Sequence, residues 1–194
     1  MTVKINADTS DGLKFVSDTS GAIDFQSNGV TKMSMDARGN LSIDGRITKQ
    51  TQPAFKARMS ADQSNIGTAY TTIQFNTENF DVGSNFNTGT YTFTAPVDGK
   101  YLLTAMVGVS QVPTNAQRFI LQIAMSGQTF SDSTTTDQFD AAFGSQKTTF
   151  KISGIADMDA NDTAFVRVYQ FTGTQQTDIN SDITYTEFAG ILLG

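Results

Sequence analysis

The chain contains no cysteine, no histidine and no tryptophan in 194 residues. Without cysteine there can be no disulfide, thiolate nucleophile, iron–sulfur cluster or cysteine-bound zinc. Without histidine the commonest general base and transition-metal ligand is missing, and Ser-His-Asp and Cys-His catalysis are excluded. Charge is sparse. The 13 basic and 19 acidic side chains make up 16% of the chain and leave a net charge of −6, well under the roughly 25% charged content of an average soluble protein. An acidic chain with no cluster of Lys and Arg does not suit nucleic acid or an anionic membrane surface. No apolar run is long enough to span a bilayer, and Met1 to Asp8 hold no apolar core of signal-peptide length. The expectation is a protein made in a reducing cytoplasm, in which the sequons at Asn40 and Asn161 are chance matches.

Thr, Ser, Asn and Gln carry the polar load instead. Thr favours strands, while Asn, Ser and Gly favour turns, so the balance is that of an all-β protein. The first fifty residues read as short strands punctuated by glycine: Leu13–Val16, Ala22–Gln26, Val30–Met35 and Asn40–Ile43. Asp11-Gly12, Ser20-Gly21, Asn28-Gly29 and Arg38-Gly39-Asn40 are turn signals between them. Met33 and Met35 share one face across Ser34, and Leu41 and Ile43 share one across Ser42. Hairpins this small are marginal alone in water and must bury their apolar face against something. One reading packs them on the rest of the chain. The other wraps three copies into a stalk. The polar stretch Ile47 to Pro53 marks a boundary, giving an N-terminal segment of residues 1–52 and a domain of residues 53–194.

Beyond Pro53 the strands lengthen. Phe55–Met59 alternates, Tyr70–Phe75 leads into an Asn- and Gly-rich loop from Asn76 to Asn87, and Thr90–Ala95 places Tyr91, Phe93 and Ala95 on one face. Pro96-Val97-Asp98-Gly99 is a turn. Tyr101–Val109 is apolar on both faces, and Phe119–Met125, Thr149–Ile152, Ala164–Phe171 and Ile183–Leu193 follow. Regular strands separated by turn signals imply a sandwich or barrel. The nearest approach to a helix is Asp137–Phe143, which is short and stops at Gly144. The final residues, Glu187 to Gly194, form an apolar strand that demands a sheet to cover it.

An enzyme lacking His and Cys can still use paired carboxylates. The pairs here are Asp157/Asp159, Asp137/Asp140 and Glu78/Asp81, all in predicted loops where acidic side chains ordinarily face water. No catalytic residue is assigned. Asp157-Met158-Asp159-Ala160-Asn161 begins like a calcium loop, but Asp162 stands where the tight-turn Gly is needed and Val168 where the bidentate Glu would be. No phosphate-binding Gly-rich loop occurs, no cofactor is expected, and calcium elsewhere stays open with no ligand set to name. Phe80, Phe86 and Phe139 lie in loop-like surroundings and are the candidate surface-binding aromatics.

Several of these runs resemble the complement C1q-type branch of the tumour-necrosis-factor-like jelly rolls. Pro53-Ala54-Phe55-Lys56-Ala57 is similar to the family's opening strand, and Ile73-Gln74-Phe75-Asn76 to its second. Gly89, Tyr91, Phe93, Pro96, Gly99 and Tyr101 resemble its "TGxFTxPxxGxYxF" run. Ala160-Asn161-Asp162-Thr163 resembles a Gly-Asp turn, with Asn161 where glycine is usual, and Phe188-Ala189-Gly190-Ile191-Leu192-Leu193 resembles the closing "FxGxLL". The resemblance implies a ten-strand-type jelly-roll sandwich that trimerises about a three-fold axis through one sheet face. Tyr101, Leu103, Ala105, Val107 and Val109 are then the candidate trimer-interface strand, because one domain covers only one face of so apolar a strand. Residues 12–43 are similar to segments of bacteriophage tail-fibre and appendage proteins.

Together these readings predict a homotrimeric virion protein, either a fibre or a capsid decoration. Residues 1–52 would form a shaft or an attachment to another virion protein. Residues 53–194 would form an exposed C1q-like head able to touch a host surface glycan or protein. The alternative is a bacterial adhesin or carbohydrate- or protein-binding module with no virion role.

Overall fold

The computed structural model describes residues 22–45, 49, 51–113, 115–135, 147–173, 177–182 and 184–193, without the side chains of 131–135. Its contacts divide the chain into two compact units, Met1–Lys49 and Gln50–Gly194. The predicted strand Leu13–Val16 and the stretch Asp137–Phe143 lie outside the described residues, among which there is no helix.

In the first unit, β1 (Ile23–Ser27), β2 (Val30–Met35) and β3 (Leu41–Ile43) form an antiparallel sheet in the order β1-β2-β3. The β1–β2 turn works because Asn28 and Gly29 both take positive φ, 52° and 74°, the pattern of a two-residue hairpin that Asn-Gly favours. The β2–β3 turn is tied by Asp36, whose carboxylate accepts from Arg38 N, Asn40 N and Asn40 Nδ2 at 2.8–2.9 Å. The bonds from Asn40 hold the Asp36 carboxyl below its usual range. Register puts Ile23, Met35 and Leu41 in one cross-strand row, and Phe25, Met33 and Ile43 in the next. Directly opposed residues share a face, so one face carries all six apolar side chains. None of residues 22–45 is buried.

The second unit comprises β4 (Ala54–Arg58), β5 (Gln63–Ile66), β6 (Thr71–Thr72), β7 (Thr77–Val82), β8 (Phe86–Asn87), β9 (Thr92–Thr94), β10 (Gly99–Ser110), β11 (Arg118–Met125), β12 (Gln128–Thr135), β13 (Thr148–Met158), β14 (Thr163–Phe171), β15 (Thr177–Asn180) and β16 (Glu187–Leu192). One sheet runs β5-β15-β10-β16-β4-β7, with β13 on the other edge of β10. The other runs β12-β11-β14-β9-β8, with β6 beside β14. Every pairing is antiparallel. The apolar final strand, β16, is thus covered on both edges, by β10 and β4.

The inner faces of the two sheets meet in one core. Phe55 of β4 stacks on Phe93 of β9 at 4.6 Å and on Phe86 of β8 at 5.1 Å, and meets the edge of Phe188 of β16 at 5.0 Å. Gly190 lets this cluster form. A Cβ there would lie 2.6 Å from Phe55 Cε1 and 2.8 Å from Leu103 Cδ2, so the glycine of the closing "FxGxLL" run is a close-approach position for the aromatic stack.

Two local expectations change. Thr90–Ala95 does not run straight through as a strand. The Asn87 side-chain oxygen accepts from Gly89 N and Thr90 N, bending residues 88–91 into a turn in which Tyr91 takes φ 60°, and β9 begins only at Thr92. The predicted loop from Asn76 to Asn87 contains β7, a polar edge strand whose partner is β4. Its Thr-Glu-Asn-Phe-Asp-Val sequence carries little strand propensity, so pairing with β4 decides it.

Candidate functional site

Tyr101, Leu103, Ala105, Val107 and Val109 alternate along β10, and each is 0–1% exposed within a single chain. The sequence expectation that these five face a partner copy is corrected: they face the sandwich core. Tyr101 anchors the end of the row, its hydroxyl donating to Val97 O at 2.8 Å. Burial pushes that phenol up from its ordinary value.

The opposite face of the same sheet carries an outward apolar row. Leu102 of β10 stands opposite Ile155 of β13 and Ile191 of β16, Ile191 opposite Ala54 of β4, and Ala54 opposite Val82 of β7. Five strands thus contribute one apolar side chain each to a single line. Ile155 is 59% and Ile191 42% exposed, while Leu102, Ala54 and Val82 are half-buried. Phe80, 49% exposed, is in register with Lys56 in the next row, so it belongs to this face and not to a loop tip. The surroundings are polar and paired. Lys56 meets Glu187 at 2.5 Å, and Lys100 pairs with Asp157. An apolar centre with a polar rim is the anatomy of a protein–protein interface.

The loop aromatics divide. Phe86 is buried on Phe55 and is a core residue, contrary to the expectation of a surface platform. Phe139 lies outside the described residues. Beside Phe86 an open cleft of about 570 Å³ is lined by Asn85, Asn87, Thr94 and Asn161 among others, with no charged side chain. Two of its amides are already engaged in closing loops: Asn85 Nδ2 donates to Val82 O at 3.1 Å, and Asn87 Oδ1 accepts from Gly89 N and Thr90 N.

The carboxylates serve backbone and lysine partners. Asp81 Oδ2 accepts from Phe86 N at 2.8 Å, and Asp157 holds Lys100. The segment that begins like a calcium loop closes as a turn. Asp162 Oδ2 accepts from Asp159 N at 3.1 Å, Asp98 Oδ1 accepts from Ala160 N at 2.7 Å, and Asn161 supplies φ 75° in place of glycine. Asp137/Asp140 lie outside the described residues. No group of three acidic side chains placed to hold a metal occurs among the described residues.

The globular domain of zebrafish complement 1qA protein is similar over 74% of this chain and 98% of its own, at 19% identity and a TM-score of 0.50. Murine APRIL is similar over 73% of this chain and 99% of its own, at 10% identity and a TM-score of 0.53. At these identities the likeness concerns the fold, which is the C1q/TNF-like jelly roll. No curated protein sequence matches the chain. Domains of this kind are in general binding and structural modules and not enzymes. The C1q domain family matches residues 54–193, and the chain belongs to it.

Proposed function

We propose that the chain is a homotrimeric structural and binding protein of a bacteriophage virion, a fibre or capsid decoration whose C1q-like head is held outward by residues 1–52. One observation carries the trimer: the row Ile155–Leu102–Ile191–Ala54–Val82, of which a single chain leaves Ile155 and Ile191 exposed. Burying such a row contributes about 25 cal/mol for each Å² of apolar surface removed from water. A second or third copy of the same face supplies the cover, since symmetric self-association is the ordinary way to close such a patch.

The place in a virion rests on the likeness of residues 12–43 to phage appendage segments. The first unit's one-sided apolar sheet fits that reading, because a stalk of three copies gives its face a second layer.

The seam is tested by Ile155→Asp combined with Ile191→Asp, two outward positions whose change leaves the core intact. In residues 53–194 alone, sedimentation of the variant should give a monomer that melts cooperatively, while the parent fragment sediments as a trimer. A variant that stays trimeric would remove this face from the assembly. The virion place is tested by probing purified particles with antibody against the head; unlabelled particles would end that part of the reading.

A further inference from the structure

The outward face of the other sheet carries side chains of a different kind. Along β14, Ala164, Val166, Val168 and Gln170 are buried, and the alternating positions Arg167, Tyr169 and Phe171 are not. Pairing with β11 sets Arg118 opposite Phe171 and Gln122 opposite Arg167. Tyr70, just before β6, completes the group. The Arg118 guanidinium lies 5.2 Å over the Phe171 ring, and that of Arg167 lies 4.2 Å over Tyr70. Tyr169 bridges them, 5.0 Å from Tyr70 and 6.2 Å from Phe171. The result is a strip of three rings with an arginine at each end. The two ends are four residues apart along the sheet, about 13 Å. Tyr70 is 50% and Phe171 37% exposed.

Arg167 is held by Gln122 and Arg118 by its stacking on Phe171, and among the described residues neither is ion-paired. Gln122 Oε1 accepts from Arg167 Nε at 2.8 Å, and Gln122 Nε2 donates to the Tyr70 hydroxyl at 3.4 Å. This fixes one edge of the Arg167 fork; among the described residues no carboxylate engages its terminal nitrogens. Salt bridges among the described residues all use lysine: Lys32, Lys56, Lys100 and Lys147. In a chain of net charge −6, no described carboxylate pairs with either arginine of this strip. Stacked guanidinium groups are pre-oriented for bidentate carboxylate binding.

The complement of this strip needs spaced anions and flat apolar faces between them. A carboxylated sugar polymer has both, because its carboxylates suit the guanidinium forks and the C–H faces of its rings suit the electron-rich aromatic faces. An acidic peptide supplies the charge without the flat faces. A neutral glycan leaves the arginines unused. We propose that Tyr70, Arg118, Gln122, Arg167, Tyr169 and Phe171 form a binding site for a carboxylate-bearing polysaccharide. The two sheets bury their inner faces against each other, so this strip points away from the seam face, and the site stands whether or not the chain is trimeric.

The test is calorimetric titration of the full chain with three probes of similar length: polyuronate oligosaccharide, neutral dextran and poly-glutamate. Polyuronate should bind, dextran should not, and poly-glutamate should bind at least tenfold more weakly. Arg118→Gln with Arg167→Gln should weaken polyuronate at least tenfold without changing the solution mass. If the double variant fails to fold, Arg118→Gln alone, at the exposed end of β11, should still weaken binding at least threefold. The proposal is overturned by polyuronate failing to bind, by dextran or poly-glutamate binding as tightly, or by variants that bind like the parent.

Discussion

The two units follow the same period-two pattern and reach opposite results. In β1 to β3 the register gathers six apolar side chains on one face, yet none of residues 22–45 is buried. In the head, Phe55, Phe93 and Phe188 sit at the same kind of alternating position and are 0–1% exposed. Alternation creates a face; burial needs a second layer. The head supplies that layer with its second sheet, while the three described strands of the first unit have none of their own.

The contrast breaks most sharply in the aromatic stack. Phe55→Ala should cost the head about 3–5 kcal/mol, read as a fall in the urea midpoint by far-ultraviolet circular dichroism. Phe25→Ala, 40% exposed in β1, should change the head's midpoint by less than about 0.5 kcal/mol. Equal losses would mean that the first unit's face is part of the head's core.

Glycine sharpens the same contrast. Gly190→Ala forces a Cβ against Phe55 and Leu103 and should cost about 1–3 kcal/mol through overpacking. Gly29→Ala meets nothing within 4 Å but must hold φ 74°, so its cost of about 1 kcal/mol is backbone strain confined to the first hairpin. Hydrogen exchange would separate them: the first variant should loosen β4, β10 and β16 together, and the second only β1 and β2.

The effects of pH are smaller. Tyr101 is an acid whose folded pKa is raised by burial. Its contribution is therefore complete below the unfolded value near 10 and is lost as pH rises through the folded value. Tyr101→Phe should remove that alkaline loss from the head's stability curve, while costing about 1 kcal/mol at neutral pH for the bond to Val97 O. Asp62, whose carboxylate accepts from Ser181 N and Oγ at 2.7 Å, has a lowered pKa because of those bonds. Its contribution is present above the unfolded value near 3.9 and is lost as pH falls through the folded one. Its exposure keeps the effect of Asp62→Asn under about 1 kcal/mol. Asp36 is its counterpart in the first unit, so an acid titration followed at β2 and β3 should soften in the same direction.

Much of the fold is legible in the sequence because local rules and packing agree. Asn28-Gly29 predicts its hairpin, and the apolar strand Glu187–Leu192 lands in the middle of a sheet. Where a distant segment decides, the reading fails. Nothing local tells that Phe86 meets Phe55, or that β4 draws the polar stretch Thr77–Val82 into an edge strand. Period two shows that Tyr101–Val109 has two apolar faces but not which one turns inward. The aligned row on the outer face becomes visible only once five strands are in register. The arginine–aromatic strip is hidden for the same reason, since Tyr70, Arg118 and Arg167 are far apart in the chain. The outward alternation Arg167-Tyr169-Phe171 was the available signal.

The most direct test of the account is solution mass by light scattering, at micromolar concentration, of the full chain and of residues 53–194 alone. The outward row of the β10 sheet predicts a trimer for both. Two monomers would contradict the account and leave Ile155 and Ile191 as ordinary exposed side chains.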